Sequence, residues 1–457
     1  MSVTARGADR AREGRLVLVN PSRLYSDGWS TDAEAGRNNP AFEILRGAVQ
    51  GAVNVEVLDL PTQVGVPESD AQREKFLALT CALIDGTDWD GALVGISCWS
   101  SLHYLATLEV ARMIKRRSPG TRIVVGGYHP TAVPGDFLEF PDLFDHVVQG
   151  AGERVLKGIL TGRIKQRLVH APATRGAPRE LLHQRPPERP TAVHYVYLSR
   201  GCPFECSYCM ESTMSLRQWR ALGPRQAADL VVAIDRTGHA GRIAICDPCF
   251  GANPKWRHAF LRRLVDRGIT TQVWAETRPD TFQEEDFQLL QQLPFQVDFG
   301  IDSASETMLR IMRKTNNPRR YLDRTADVCR QLDARGVRFC LYLIFNHPGE
   351  TDYTIHETVE YLSALRSSLR NNHGHFVAGT YFYVPGTAVE TELAQLAEDH
   401  GTVVHEPAWW KQRSPHHPLA TRVDATTGRP GSEIHGDHWW RAMERLNRPL
   451  GAWRFLR

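Results

Sequence analysis

The chain has 457 residues, 42% of them hydrophobic and 23% charged, with a formal net charge of +3. That length allows two or three domains, each with its own core, and so even a charge balance gives no footing for a nucleic-acid partner. No apolar run approaches the ~20 residues that span a bilayer, and the Arg-rich start (Arg6, Arg10, Arg12, Arg15) lacks a signal peptide's apolar segment, so a cytoplasmic protein without a membrane partner is expected.

Residues 1–162 alternate strand-like and helix-like segments. The strands are "RLVLVNP" (15–21), "VNVEVLDLP" (53–61), "DGALVGISC" (90–98), "RIVVGG" (122–127) and "FDHVVQG" (144–150). The clearest helix is "SLHYLATLEVARMIKRR" (101–117), apolar at three- and four-residue intervals. Such alternation predicts an α/β domain, a Rossmann-like (flavodoxin-like) parallel sheet. Ligands of these sheets sit at the carboxyl ends of the strands, here "NPSRLYSDG", "ISCWSS", "GGYHPT" and "QGAGE". Residues 163–192, dominated by Pro and Arg, read as an interdomain linker.

From 193 to 395 six further strands alternate with helices: "AVHYVYLS", "GRIAICD", "TTQVWAE", "FQVDFGID", "RFCLYLIF" and "GHFVAGTYFYV". They predict a partial (β/α)6 barrel whose site lies at the carboxyl ends of the strands. Residues 396–457 lose the pattern but hold Trp409, Trp410, His416, His417, His435, His438, Trp439, Trp440 and Trp453. A helix near 437–447 and packing of this extension on the barrel are expected, with closure over a substrate as the other reading.

The chemistry concentrates in "RGCPFECSYCME" (200–211), where Cys202, Cys206 and Cys209 stand in a C-x3-C-x2-C spacing. Three thiolates hold a metal centre with one position open. A 4Fe–4S cluster with a non-cysteine ligand on its fourth iron fits. So does zinc, completed by His194 or by the Cys246/Cys249 pair. Cys81, Cys98, Cys329 and Cys340 lie singly in apolar surroundings and read as small buried hydrophobes.

This loop resembles that of the radical S-adenosylmethionine (SAM) superfamily, as do "DFGIDSAS" (298–305), "MLRIMRK" (308–314), "LIFNHPGET" (343–351) and "YVPGT" (383–387). The resemblance implies that Cys202, Cys206 and Cys209 ligate the cluster and that SAM chelates the open iron. It places Tyr208, Asp247, Glu276, Arg278, Asp302, Ser303 and Asn346 around SAM, with Asp302 where a Glu is more usual and Gly349 serving a turn. The N-terminal half, through "DGALVGISCWSS", "IVVGGYHPT" and "DHVVQGAGERVL", resembles the cobalamin-binding domain of the class B radical SAM methyltransferases. By that resemblance Ser97, Trp99, Ser100, Ser101, Leu102, Gly126, Gly127, Tyr128, His129, Gly150 and Gly152 contact cobalamin, the glycines because backbone must come close. The D-x-H-x-x-G motif that supplies a histidine to cobalt elsewhere is absent after Asn20, and His103 and His129 read as ordinary polar contacts.

What the resemblance implies is SAM cleavage by a reduced cluster, hydrogen abstraction, and methyl transfer by way of methylcobalamin to a carbon of a small molecule, by family habit a specialised metabolite such as an antibiotic intermediate. Polar methyl transfer to an sp² carbon is the other route. An electron donor such as flavodoxin or ferredoxin is implied too. Two other readings stand beside it: radical cyclisation or ring rearrangement without methylation, and a non-catalytic cobalamin-binding module.

Overall fold

The computed structural model describes residues 14–23, 38–67, 69–173, 176–214, 217–412, 423–428 and 438–447. Arg6, Arg10, Arg12, His416, His417, His435 and Trp453 lie outside them. The described residues form two compact units, one holding 14–23, 41–65 and 74–172, the other 38–40, 66–73 and the remainder from 173.

The first unit is built on a six-stranded parallel sheet in the order β2-β1-β3-β4-β5-β6. Its strands are β1 (Arg15–Asn20), β2 (Asn54–Asp59), β3 (Ala92–Ser97), β4 (Arg122–Gly126), β5 (His146–Gln149) and β6 (Leu168–His170). Leu16, Val17, Leu18 and Val19 are all buried, the continuous apolar run of a strand covered on both faces. Edge strand β2 instead carries Asn54, Glu56 and Asp59 and is only half-buried. One core cluster joins Leu16, Leu18, Phe42, Leu93, Val124, Val148 and Ile159, each worth roughly 1.5–3 kcal/mol on burial. Gly95 leaves the space that Leu18 fills, since a Cβ there would meet Leu18 Cδ2 at 3.0 Å.

Two expectations need correction. The stretch read as a linker begins with a sheet strand: β6 pairs with β5, Val147 opposite Leu168, and buries Val169. Three residues are too short a run for periodicity to reveal. Cys81 is not buried but half-exposed on the helix Arg73–Asp85, which buries only Thr80 and Ile84; Cys98, Cys329 and Cys340 are fully buried.

The second unit has parallel strands in the order β14-β13-β12-β11-β10-β7: β7 (His194–Val196), β10 (Arg242–Ile245), β11 (Gln272–Thr277), β12 (Phe295–Asp302), β13 (Arg338–Phe345) and β14 (Gly374–Thr380). A short antiparallel pair, β8 (Ser199–Arg200) and β9 (Arg220–Ala221), brackets the cysteine loop. The sheet is a barrel left open between β7 and β14, and amide side chains close its raw edges. On β7, Asn38 receives the Tyr195 N–H and donates to the Tyr195 carbonyl (2.7 and 2.8 Å), and just past the strand Gln184 does the same at Tyr197 (both 2.8 Å). On β14, Asn447 bonds the Phe376 N–H and carbonyl (3.0 and 2.6 Å). Each amide offers a strand edge the donor and acceptor that a neighbouring strand would.

Asn447 ends the helix His438–Asn447, which buries Met443 and Trp439. Trp409 and Trp410 are buried as well, with Trp409 Nε1 donating to the Tyr383 carbonyl at 2.7 Å. No described helix is long and apolar enough to cross a membrane.

Candidate active site

In the second unit the cysteine loop follows β7 and β8, at the carboxyl edge of the sheet. Cys206 is buried, and Cys202 and Cys209 are half-buried. Backbone bonds from Cys209 N to the Cys206 carbonyl (3.2 Å) and from Ser207 N to the Met312 carbonyl (3.0 Å) set the loop's shape. Burial, with Cys206 and Glu211 close by, pushes the Cys209 thiol up to about 12. The Cys209 thiol therefore becomes a thiolate only when a cation binds. Among the described residues, no three His, Cys, Asp or Glu side chains converge tightly enough for a single metal ion. Three thiolates on one loop suit an iron–sulfur cube, whose ligands hold separate corners. The donor set fits the cluster.

Asp247 clamps the approach to the loop. Its Oδ1 accepts the N–H groups of Leu198 and Ser199 (2.7 and 2.9 Å), and its Oδ2 accepts the Ser199 hydroxyl (2.6 Å). Burial raises its carboxyl to about 6 against the pull of those hydrogen bonds. Expected beside SAM, Asp247 has both oxygens committed to holding Leu198 and Ser199.

Tyr208 donates to Asp302, which also pairs with the buried Lys314 at 2.5 Å. Burial works against the charge of Lys314, but Asp302, Tyr321 and Cys206 together outweigh it and raise its pKa. Asp302 follows a register shift in β12 and has a φ of 66°; Asn346, just after β13, also has a φ of 66°. Two non-glycine residues in the left-handed region at adjacent strand ends are stored strain of the kind found at functional sites. Asn346 Nδ2 donates to the Val423 carbonyl (2.6 Å), and its buried Oδ1 has no protein partner among the described residues.

Arg278 lies over the Phe204 ring, 3.9 Å from its centroid, and pairs with both Asp280 oxygens (3.0 and 2.9 Å). Its Nη1, also buried, is left without a protein partner among the described residues, a donor open to a carboxylate. Glu276 is accessible yet ringed by protein, and burial with Asp298 and Asp302 pushes its carboxyl to about 7. Ser303 turns inward, its hydroxyl 3.1 Å from that of Thr358 and accepting the Ser305 N–H.

The sequence reading missed Lys314 and Arg257. Lys314 ends the quoted "MLRIMRK", where one lysine after an apolar helix is the only signal. Arg257, fully buried, grips Asp286 through two bonds (2.7 and 2.6 Å) and donates to the Gly251 carbonyl (2.6 Å) and the Thr281 carbonyl (3.0 Å). It thereby ties together the loops after β10 and β11, and nothing in "NPKWRH" announces it.

In the first unit the strand order reverses between β1 and β3, and ligands of such sheets bind at that point, beyond the carboxyl ends. Ser97, Trp99, Ser100, Leu102, Gly126, Gly127, Tyr128, Gly150 and Gly152 all keep exposed surface there, Trp99 44% and Tyr128 36%. Ser101 and His129 are buried: Ser101 Oγ lies 2.8 Å from His129 Nδ1, and His129 Nε2 lies 3.1 Å from Asp136 Oδ2. His129, expected to touch a ligand, has no accessible surface and instead braces Ser101. His103, its Nδ1 2.9 Å from Ser100 Oγ, is driven by burial and by Arg23 to about 3 and stays neutral.

The reason for Gly127 also changes. Its φ is 119°, and a Cβ there would lie 2.5 Å from the Cys98 carbonyl oxygen, so glycine is required for the β3 and β4 loops to meet. At Gly126 a Cβ would find ordinary contact, 3.8 Å from Val148. Exposed aromatic faces, small residues and neutral hydrogen-bonding groups fit a large flat ligand of low charge density such as a corrin. The loop beyond Arg23, where a cobalt-ligating histidine motif would fall, lies outside the described residues.

Comparison with known families agrees with this division. The B12 binding domain model matches residues 39–160, and the Radical SAM superfamily model matches residues 196–362. This chain joins a B12-binding domain to a radical SAM domain. An uncharacterised methyltransferase of Pyrococcus horikoshii is 25% identical over 307 residues, covering 61% of this chain and 65% of the relative. The cobalamin-dependent radical SAM methyltransferase TokK of Streptomyces tokunonensis is 23% identical over 214 residues, 40% of this chain and 31% of TokK. The chain thus spans less than two thirds of the length of these curated relatives. In fold, it is similar to the radical SAM methyltransferase TsrM of Kitasatospora setae solved with cobalamin and a 4Fe–4S cluster, at a TM-score of 0.68 and 18% identity, covering 94% of this chain and 88% of TsrM. The cobalamin-dependent enzyme OxsB aligns with a TM-score of 0.64 and 15% identity over 91% of this chain and 64% of OxsB.

Proposed function

We propose that the protein is a cobalamin-dependent radical SAM methyltransferase acting on a carbon centre of a small molecule. One observation carries the reading: a C-x3-C-x2-C loop at the carboxyl edge of the radical SAM sheet, in a chain that also has a B12-binding domain. The methyltransferase names of the Pyrococcus protein and of TokK support it. When bound, the cluster would supply the electron that cleaves SAM, and cobalamin would carry the methyl group.

The protein's own residues bind and orient. Cys202, Cys206 and Cys209 hold the cluster, and Asp247 fixes the approach to their loop. Arg278 Nη1 takes a carboxylate of SAM or substrate, Asn346 Oδ1 accepts a donor from SAM, and Tyr208, Asp302 and Lys314 fix the wall beside the adenosyl group. Glu276, poised near neutrality, accepts a proton from a substrate. Ser97, Trp99, Ser100, Leu102, Gly126, Tyr128, Gly150 and Gly152 face cobalamin, with Ser101 and His129 behind them and Gly127 shaping the edge. The boundaries assigned to this scheme are 1–172, taking in β6, a connecting stretch 173–192, 193–395 and 396–457. The enzyme works in the cytoplasm and takes electrons from a flavodoxin or ferredoxin.

The test needs no substrate: the protein, loaded anaerobically with iron, sulfide and cobalamin and reduced with a low-potential chemical reductant, is given SAM labelled on its methyl group, and label on the cobalamin is measured. Labelled cobalamin is expected. A second reading, ring closure without methylation, is favoured by similarity to the anaerobic magnesium-protoporphyrin IX monomethyl ester cyclase of Rubrivivax gelatinosus, 21% identical over 383 residues, 75% of this chain. Reductive cleavage of SAM with no label on cobalamin would move the assignment there.

A further inference from the structure

Inside the barrel, β11, β12 and β13 meet at Asp298. Its Oδ2 accepts Trp274 Nε1 (2.7 Å) and the Tyr342 hydroxyl (3.1 Å), and its Oδ1 accepts Gln296 Nε2 (3.0 Å). Residues two apart on a strand share a face, so Glu276 lies inside with Trp274, and Gly300 with Asp298. Gly379 pairs with Ile344, two residues on from Tyr342, and lies inside as well. The outer faces of these strands are sealed: Ala275, Phe299 and Leu341 have no accessible surface. On the inner face, Asp298 and Cys340 are buried and close the floor. One layer nearer the carboxyl edge, Glu276 is exposed and Gly300, Tyr342 and Gly379 keep accessible surface. That surface belongs to a cavity within the barrel. A Cβ on Gly379 would meet nothing within 4 Å, and a glycine inside a strand marks the close approach of a ligand.

What this cavity offers is aromatic and negative. Trp274 and Tyr342 have their polar tips committed to Asp298, so each has its ring left for a guest. Asp298 is filled by its own donors, and Asp302 is held by Lys314. Glu276 alone of these carboxylates has no hydrogen bond or ion pair among the described residues. Burial, with Asp298 and Asp302 near, disfavours its charge, and a cation beside it reverses that penalty. Aromatic rings attract a cation too. An anion would be repelled here, and a guest without a donor would leave the carboxylate unpaired.

We infer that the substrate carries a protonated amine, seated in this cavity with its N–H on Glu276 and its charge beside Trp274 and Tyr342. The inference names the substrate class for the methyltransferase reading and rests on it. SAM is itself a cation, so the test must separate the two.

The test is equilibrium dialysis of the anaerobically reconstituted, unreduced holoenzyme against probes of similar shape and different charge: 2-phenylethylamine, 2-phenylethanol and phenylacetate, each with and without saturating SAM. The amine is expected to bind about tenfold tighter than the alcohol, and phenylacetate more weakly than either, with SAM leaving that order unchanged. Glu276→Gln is expected to bring amine and alcohol within about twofold, and Gly379→Leu, which fills the cavity, to weaken amine binding about tenfold. Iron per chain is counted in each. Equal binding of amine and alcohol to wild type overturns the inference, as does failure of the amine to bind. Displacement of the amine by SAM overturns it too, since the cavity would then be SAM's, and so does an unchanged preference in Glu276→Gln. If Glu276→Gln loses its iron, Gly379→Leu decides: amine binding lost with iron retained supports the inference, and binding retained overturns it. If both variants lose iron, the wild-type order with SAM present decides. A wild type that takes up no iron, or puts no label on cobalamin, removes the methyltransferase reading and the inference with it, before any probe is added.

Discussion

The carboxyl edges of the two sheets solve different problems with the same architecture. At the edge of the radical SAM sheet, charged groups are buried and tied to one another: Asp302 to Lys314, Arg278 to Asp280, Arg257 to Asp286. At the edge of the B12-binding sheet, Ser101, His129 and Asp136 form one buried set, His103 is buried near Arg23, and the surface presents Trp99 and Tyr128. Buried charge is held only where its partners are fixed, because an unpaired buried ion costs several kcal/mol. The first edge suits a small charged ligand such as SAM, and the second a broad, mostly uncharged one.

The largest break in this comparison comes from the cysteines. Cys202→Ala, Cys206→Ala or Cys209→Ala should each abolish iron uptake while leaving cobalamin per chain unchanged, measured by metal analysis and the cobalamin spectrum. Next, Asp247→Ala strands two N–H groups and a hydroxyl and should cost about 3 kcal/mol in denaturant unfolding, whereas Asp247→Asn should cost under about 1 kcal/mol. On the other edge, His129→Ala should cost about 2 kcal/mol and weaken cobalamin binding with iron content unchanged. Trp99→Ala should leave stability within about 0.5 kcal/mol, the side chain being 44% exposed, yet lower cobalamin affinity about tenfold.

A pH dependence comes with the same carboxyl. The Asp247 carboxyl, ordinarily at 3.8, stands at about 6 in the fold, where burial outweighs its hydrogen bonds. The folded state then holds the proton more tightly than the unfolded chain. Its contribution is complete below 3.8 and is lost as pH rises to about 6. Unfolding of the metal-free protein across that window should show the decline, and Asp247→Asn should flatten it.

Long apolar runs made both sheets legible in the sequence, because a strand buried on both faces must be almost wholly apolar. The cysteine spacing was legible for a similar reason: its meaning is local. What stayed hidden depends on partners far along the chain. The amide of Asn38 meets Tyr195, 157 residues away, and that of Asn447 meets Phe376, 71 away. Lys314 and Arg257 take their meaning from Asp302 and Asp286, and His129 turned inward because Asp136 lies behind it. Residue type named these as polar, but only the fold shows which polar groups are spent on structure.

The central claim is that one chain holds both cofactors, and the most direct measurement counts them. After anaerobic reconstitution, iron, sulfide and cobalamin are quantified per chain. The account predicts about four irons, about four sulfides and about one cobalamin. Four irons with no cobalamin after loading would contradict it and leave the first sheet a scaffold beside non-methylating radical chemistry.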